Sequence, residues 1–414
     1  MRFARADSLL AFLSLASRNI ARQSGRSAMT LSAIVFSVAS LILAGGFVQD
    51  VFTQLAEAMI HTRTGHLQVS ETGFFTFGSR SPERYLLDKA ESSKSAISAL
   101  PEVQDVMARI SFSGLISNGR SDLPIVGEGV EPDREARLGT FLKVTSGRSL
   151  QDIDSAGIFL GQGVAKSLGL VPGATVTLLV STSDGALNTQ EFEVVGVFKS
   201  FSNDFDARAV RISLGAAQEL LSTGGVNSLV VALKKTGDTD KVRSKLERLF
   251  AGPSYEVKTW IELNDFYEKT VELYKRQFGA VQVIIFLMAL LSVVNTVNLS
   301  VLERVGEFGT MRALGNYGRD VMALVLTENL LLGLLGAGIG ILVGIGLALA
   351  ISQIGIPMPP PPNADVGYTA YIRIDPATVA TAALVGLLAT VLAAVPPALR
   401  VSRMPVTDQL RQNI

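Results

Sequence analysis

Gln277-Phe-Gly-Ala-Val-Gln-Val-Ile-Ile-Phe-Leu-Met-Ala-Leu-Leu-Ser-Val-Val-Asn-Thr-Val-Asn-Leu-Ser-Val-Leu302 runs from Arg276 to Glu303 without a charge. It exceeds the ~20 residues that carry a helix across a bilayer core, so it predicts a transmembrane helix. Working outward, Ala28–Gln49 is a second uncharged run, Val321–Ile354 is broken only by Glu328, and Pro376–Leu399 extends to Arg400. The chain is 48% hydrophobic and 18% charged, and these four stretches are where that excess of apolar residues collects. A cleaved signal peptide competes for the first stretch because basic residues precede it. The run is longer than a signal core, however, and no small-x-small site ends it.

Lys plus Arg equals Asp plus Glu at 37 each, so no global positive field points to nucleic acid. The absence of cysteine removes disulfides, thiolate metal sites and an acylated lipoprotein signal. The only histidines are His61 and His66. They flank Gly65 and are five apart, so they cannot form a His-x-x-x-His pair on one helix face, and they read as ordinary surface or strand-edge residues. Neither a Ser-His-Asp arrangement nor a Gly-x-Ser-x-Gly elbow can be assembled, which leaves no catalytic constellation. No cofactor or metal is expected in this chain.

Positive charge near the membrane sets the orientation. Arg2, Arg5, Arg18, Arg22 and Arg26 stand against Asp7 before the first span, and Arg400, Arg403 and Arg411 against Asp408 after the last. Both ends are therefore expected in the cytoplasm. The resulting plan is a cytoplasmic lead-in over 1–27, spans at 28–49, 277–302, 321–354 and 376–399, and a large outer domain over 50–276. A cytoplasmic segment follows at 303–320, an outer Pro-rich loop at 355–375 and a cytoplasmic tail at 400–414. The last two spans should form a helical hairpin.

Within the outer domain, Leu67–Val69, Leu123–Val126, Ala174–Val180, Phe192–Val195 and Ser228–Leu233 read as strands. Pro82–Leu100, Ser213–Leu221 and Asp238–Phe250 read as helices. The fold class is thus four transmembrane helices with a large mixed α/β domain inserted between the first and second. Gly161-Gln-Gly-Val-Ala-Lys-Ser167 resembles a phosphate loop, but Ala165 and Leu160 stand where that motif needs glycine, and a short helix entered through a glycine turn is expected instead. Trp260–Tyr274 contains no Gly or Pro and leads directly into the second span, so one stiff helix of about 60 Å is expected there.

Glu303-Arg-Val-Gly-Glu-Phe-Gly-Thr-Met-Arg-Ala-Leu-Gly315 joins the second and third spans. Val305, Phe308, Met311 and Leu314 recur every three residues as one apolar stripe, while Glu303, Arg304, Glu307 and Arg312 lie mostly away from it, and Gly315 can end the helix. Lying on the membrane and docking into another protein both fit that pattern. Glu328 is costly in lipid unless paired or interfacial; it is expected to hold the inner end of the bundle, since no second membrane acid continues a proton relay. Gly336, Gly340, Gly344 and Ala348 form a small-residue face for close packing, either on the fourth span or on a second protomer.

Glu307-Phe-Gly-Thr-Met-Arg-Ala-Leu-Gly315 resembles the coupling segment of the FtsX-like permease family of ABC transporters. Leu13–Arg22 is similar to that family's lead-in helix and Pro397–Arg411 to its closing pattern. Gly65–Val69, Ile158–Gly161, Leu168–Gly173 and Asp204–Asp206 are similar to its lipoprotein-release and macrolide-export branch. Phe308 stands for the commoner Ile, and Asn316-Tyr317 for a small pair.

The resemblance implies a non-catalytic subunit that pairs with a separate cytoplasmic ATPase, which holds ATP and Mg, and with a second permease protomer in a homo- or heterodimer. Glu303, Arg304, Glu307, Phe308, Gly309, Met311, Arg312, Ala313, Leu314 and Gly315 would seat on that ATPase. The outer domain would divide into a membrane-proximal porter-like part and a distal insertion near 110–224. ATP-driven motion would be transmitted to the outer domain of a bacterial inner-membrane protein. A lipoprotein or other amphiphile would move from the outer leaflet or periplasm, with a possible periplasmic acceptor. A signal-transmitting permease that controls a cell-wall hydrolase or reports an envelope signal is the alternative, and a membrane-bound enzyme a weaker third.

Overall fold

The computed structural model describes residues 24–78, 81–87, 89–139, 142–200, 202–250, 252–359 and 367–411. The lead-in Leu13–Arg22 and residues 360–366 of the Pro-rich loop lie outside these. Two compact units emerge, one built from residues up to Phe52 with Val271–Pro357 and Thr369 onward, the other from Thr53–Thr270 with Met358–Tyr368.

The first unit is helical. Its four long helices, Ser24–Met59, Asp265–Glu303, Gly318–Ile354 and Pro376–Arg403, are each long and apolar enough to cross a membrane. All four extend beyond the uncharged runs that announce them. The second is unbroken through Gly279, about 58 Å at 1.5 Å per residue. It starts at Asp265 rather than Trp260 because Leu263 and Asn264 close turns onto Thr259 and Ile261. The fourth continues through Pro396 and Pro397, and its start is capped by Asp375, whose carboxylate accepts from the Thr378 N–H at 2.9 Å.

Ile34, Val38, Leu41, Ile42, Val293, Val297, Phe308, Val325 and Ala393 contribute to the apolar core of this unit. Gly336, Gly340 and Gly344 of the small-residue face of the third helix pack on the first helix rather than on the fourth. A Cβ placed at Gly336 would stand 2.8 Å from Ile34 Cγ2, one at Gly340 2.8 Å from Val38 Cβ, and one at Gly344 3.0 Å from Ile42 Cδ1. The third and fourth helices meet along a different line, Gly333 against Leu387 and Thr390. Spacing defines which residues share a face; what covers that face depends on the arrangement of all the helices.

The second unit is built on a mixed sheet of ten strands among the described residues. These are β1 Leu67–Glu71, β2 Val103–Ser117, β3 Asp122–Val130, β4 Lys143–Gly147, β5 Gly157–Gly161, β6 Thr175–Ser181, β7 Leu187–Lys199, β8 Ala209–Ser213, β9 Ser228–Leu233 and β10 Tyr255–Thr259. The order is β10-β1-β9-β2-β3-β8-β5-β7-β4, with β6 pairing β2 and β7. Among the described residues, β3–β8 and β5–β7 are the parallel pairs and the other pairs are antiparallel.

Several apolar clusters use this sheet, two of them large. One takes Ile110, Phe112, Ile158, Val180, Val210, Ile212 and Leu220; the other takes Leu67, Val69, Val106, Leu229, Val231, Val242 and Leu246. Strand β2 feeds both. Short helices close the layers at Leu214–Leu220 and Thr239–Leu249, close to where apolar spacing predicts them. The predicted helix over 82–100 divides: a 3-10 turn at Pro82–Arg84, a bridge from Leu87 to Val226, and a helix only at Ala90–Ser98. The pairing of Leu87 with a distant segment takes its backbone out of any local helix. Gln162–Leu168 is the short helix expected in place of a phosphate loop, with Gly161 at its N-cap.

Candidate functional site

The segment between the second and third helices forms its own helix, Val305–Ala313, closed by Gly315 at φ +100°. The left-handed backbone there favours glycine, which explains the stop. Arg304 turns inward. Its Nη1 and Nη2 donate to Glu328 Oε2 at 2.7 Å and Oε1 at 3.1 Å, a two-pronged pair inside the bundle, and its Nε reaches Glu307 Oε2 at 3.1 Å. Glu328 thus has the partner its place in an apolar helix requires.

The predicted stripe is only partly a buried face. Val305 and Phe308 are fully buried and Met311 half-buried, but Leu314 is 82% exposed because it lies past the last helical turn. Of the other candidate coupling residues, Arg304 and Gly309 are buried, Arg312 is half-buried, and Glu303, Glu307, Ala313 and Gly315 are exposed. The helix Val406–Arg411 covers the inner side. A Cβ at Gly309 would stand 2.9 Å from Gln409 Cβ, Gln409 donates to Val401 O at 2.8 Å, and Arg312 Nη1 donates to Met404 O.

Three polar arrangements escape the sequence. Near the other end of the first helix, Asp50 is buried and accepts from the Tyr371 N–H at 2.8 Å and from Arg373 Nε at 3.2 Å. The two histidines form the second arrangement, contrary to their reading as surface or edge residues. His66 is buried, its ring edge-on to His61 with centroids 6.0 Å apart. His61 Nε2 lies 3.1 Å from Glu57, and Thr236 donates to Glu57 at 2.8 Å and lies 3.2 Å from His66 Nε2. The Leu233 N–H donates to His66 Nδ1 at 3.1 Å. Burial pushes His66 down to about 4, so the ring is neutral. Folding of β9 and the following loop onto this ring buries it, and a spacing of five residues carries no sign of that.

The third arrangement sits where the first long helix ends. Residues Ile60–Thr64 widen into a π-turn, a rare conformation enriched at functional sites, which stops at Gly65 with φ +61°. Val230 leaves no room for a side chain there. The alternation of the sheet puts Leu67, Val69, Ile110, Phe112, Val210 and Ile212 toward the apolar clusters, leaving Gln68, Ser70, Arg109, Ser111 and Arg211 on the other face.

On that face both η-nitrogens and Nε of Arg109 are engaged. Nη2 meets Glu135 Oε2 at 2.8 Å, Nε meets Glu135 Oε1, and Nη1 donates to the Arg63 carbonyl. Arg211 Nε donates to Glu128 Oε2 at 3.0 Å and its Nη2 to the Thr62 carbonyl at 3.4 Å. All four of these charged side chains are buried. Burial pushes Glu128 upward, but the charges of Arg211, Arg109 and Arg63 outweigh it and hold the carboxylate at about 2. A cavity of about 160 Å³ lies against this layer, lined among others by Arg63, Gln68, Phe75, Arg109, Glu128 and Ser228.

With the architecture and these clusters in place, comparison with known proteins assigns the class. Residues 27–249 match the family described as MacB-like periplasmic core domain and residues 279–406 the FtsX-like permease C-terminal family. The chain belongs to the FtsX-like permeases of ABC transporters and carries a MacB-like core domain. Four apolar helices and that domain fit an inner-membrane protein.

Among relatives, an uncharacterized ABC transporter permease of Methanocaldococcus jannaschii is 26% identical over 49% of this chain and 51% of its own length. The lipoprotein-releasing system transmembrane protein LolE of Haemophilus influenzae is 23% identical over 57% and 58%, and LolC of Neisseria meningitidis serogroup B is 22% identical over 74% and 73%. This chain thus spans little more than half the length of the first two. The periplasmic region of MacB from Actinobacillus actinomycetemcomitans superposes with a TM-score of 0.38 at 18% identity, covering 51% of this chain and 94% of that one.

Proposed function

We propose that this permease transmits ATP-driven motion from a separate cytoplasmic ATPase to its MacB-like domain. Both termini and Val305–Ala313 lie in the cytoplasm, the MacB-like domain lies in the periplasm, and two protomers work as a pair. ATP and Mg are held by the partner ATPase. The observation that carries this reading is the unbroken helix Asp265–Glu303, which begins six residues after strand β10 and ends beside the buried Arg304–Glu328 pair. A helix without a flexible joint passes displacement along its axis, whereas a Gly/Ser linker absorbs it.

At the foot, Leu314, Glu307 and Ala313 offer an exposed edge to the ATPase, while Arg304, Phe308 and Gly309 bind the foot to the bundle. A push on the edge is therefore delivered to the bundle rather than lost in rotation of a loose helix. The cargo is a lipoprotein or another amphiphile, taken from the outer leaflet or periplasm. LolC and LolE, named as lipoprotein-releasing proteins, are among the relatives, and the long helices present mainly apolar side chains, which suits force transmission better than a polar path.

Copurification from membranes tests the partnership: a tagged chain should bring an ATPase subunit with it, and its absence under conditions that retain the dimer would count against the proposal. Photocrosslinking from the outer domain tests the cargo. Capture of lipoproteins supports export, and capture of a cell-wall hydrolase alone would move the assignment to a signalling permease.

A further inference from the structure

We propose that the buried layer of Arg109, Glu135, Arg211 and Glu128 is the joint that hands displacement of the first long helix to the sheet, an inference resting on the mechanotransmission reading above. The carbonyls at the end of a helix carry partial negative charge and need donors. Here the π-turn that completes the first helix receives them from the sheet: Arg63 O from Arg109 on β2, and Thr62 O from Arg211 on β8. Gln68 Nε2 adds a third donor, to Thr64 O at 2.9 Å.

Strand β3 separates β2 from β8, so the two strands that supply the guanidinium groups lie about 10 Å apart, while the groups themselves converge on the successive carbonyls of Thr62 and Arg63 and on Glu135, which Arg211 Nη1 approaches at 3.7 Å. Donors from two different strands on successive carbonyls tie the helix end to both strands at once. Each guanidinium is fixed by a carboxylate. Glu135 clasps Arg109 through both oxygens, and Glu128 holds Arg211. Charges buried in this way are a poor means of gaining stability, because well-packed apolar residues often serve as well or better. Directional hydrogen bonds to a helix end do what apolar contacts cannot: they keep a fixed register under load.

That difference gives the test. In the complete membrane complex, the Arg109→Met, Glu135→Leu, Arg211→Met, Glu128→Leu combination replaces the layer with apolar side chains. The chain has no cysteine, so one fluorophore can be attached through Leu187→Cys on the sheet and, in a separate preparation, through Phe36→Cys on the first helix; both positions are strongly exposed.

The expected result is unchanged basal ATP turnover and an unchanged ATP-induced signal at position 36. The signal at position 187 should fall about fivefold or more, within the range over which mutations along a coupling route act. Full retention at 187 would overturn the joint. Loss of the ATP response at both positions in the unsubstituted complex would instead sink the transmission reading itself. If the fourfold variant does not fold, Arg109→Lys decides, since it keeps the charge but loses the two-pronged clasp. A selective drop at 187 supports the joint, and an unaltered response refutes it.

Discussion

Adding one methyl group to the third helix should separate packed from open positions within a few residues. Gly340→Ala places a Cβ 2.8 Å from Val38 Cβ, 3.1 Å from Val38 Cγ1 and 3.3 Å from Val35 Cα. Comfortable carbon contacts lie at about 3.5–4.0 Å, so the first approach is short by nearly 1 Å. The atom met is the branch point of Val38, close to the backbone, and it cannot swing aside; the helices must separate. Overpacking of this kind costs about 1–3 kcal/mol.

Gly338 and Gly346 lie in the same helix and have nothing within 4 Å of a would-be Cβ, so alanine there should be neutral or slightly stabilising. Gly344→Ala should fall between, because the nearest atom is the mobile tip of Ile42 at 3.0 Å. Reversible unfolding of the purified chain in mixed micelles measures the series, and Val38→Ala in the Gly340→Ala background should recover part of the loss by opening space. Equal costs at 338 and 340, or strict additivity of the 38 and 340 changes, would refute the packing of this face on the first helix.

Removing one partner from the Arg304–Glu328 pair, as in Glu328→Leu, should destabilise the bundle by about 3–5 kcal/mol, seen as reduced accumulation and a lower melting temperature, whereas Arg304→Met with Glu328→Leu should regain most of it. Glu307→Lys should leave insertion and folding intact and lower transport-linked ATP turnover in the assembled complex; unaltered turnover argues against docking through this helix.

His66 titrates near 4 in the fold against 6.5 for the ordinary group, so the unfolded chain takes up its proton first as pH falls. The neutral ring's contribution is fully present above 6.5 and lost progressively down to about 4, a total of about 3 kcal/mol. With only two histidines in the chain, proton NMR can follow the titration directly; a midpoint near 6.5 for His66 would contradict its burial.

The four long helices are legible because a charge-free run of membrane length has few other readings. The inner helix and its glycine stop are legible for the same local reason, as are Ser228–Leu233 and Thr239–Leu249. Strand β2 is not read from the sequence: Val106, Ala108, Ile110 and Phe112 make one apolar face, but the opposite face carries Asp105 and Arg109, and Arg109 makes sense only with Glu135, which arrives from another element. The role of Arg304 is hidden likewise. On an isolated helix it reads as outward-facing, and its carboxylate partner lies 24 residues on. Leu87 and His66 show the same limit, since strand pairing with distant segments determines where each goes. Local periodicity announces elements, while polar partnerships between elements depend on the assembled fold.

Strand β2 also has a consequence for how the mixed domain comes apart. Its Val106 belongs to one apolar cluster and its Ile110 and Phe112 to the other, so neither cluster can melt without fraying a strand that the other needs. Amide exchange along Val106–Phe112 should therefore be the slowest in the domain, released only in a single cooperative opening rather than lobe by lobe.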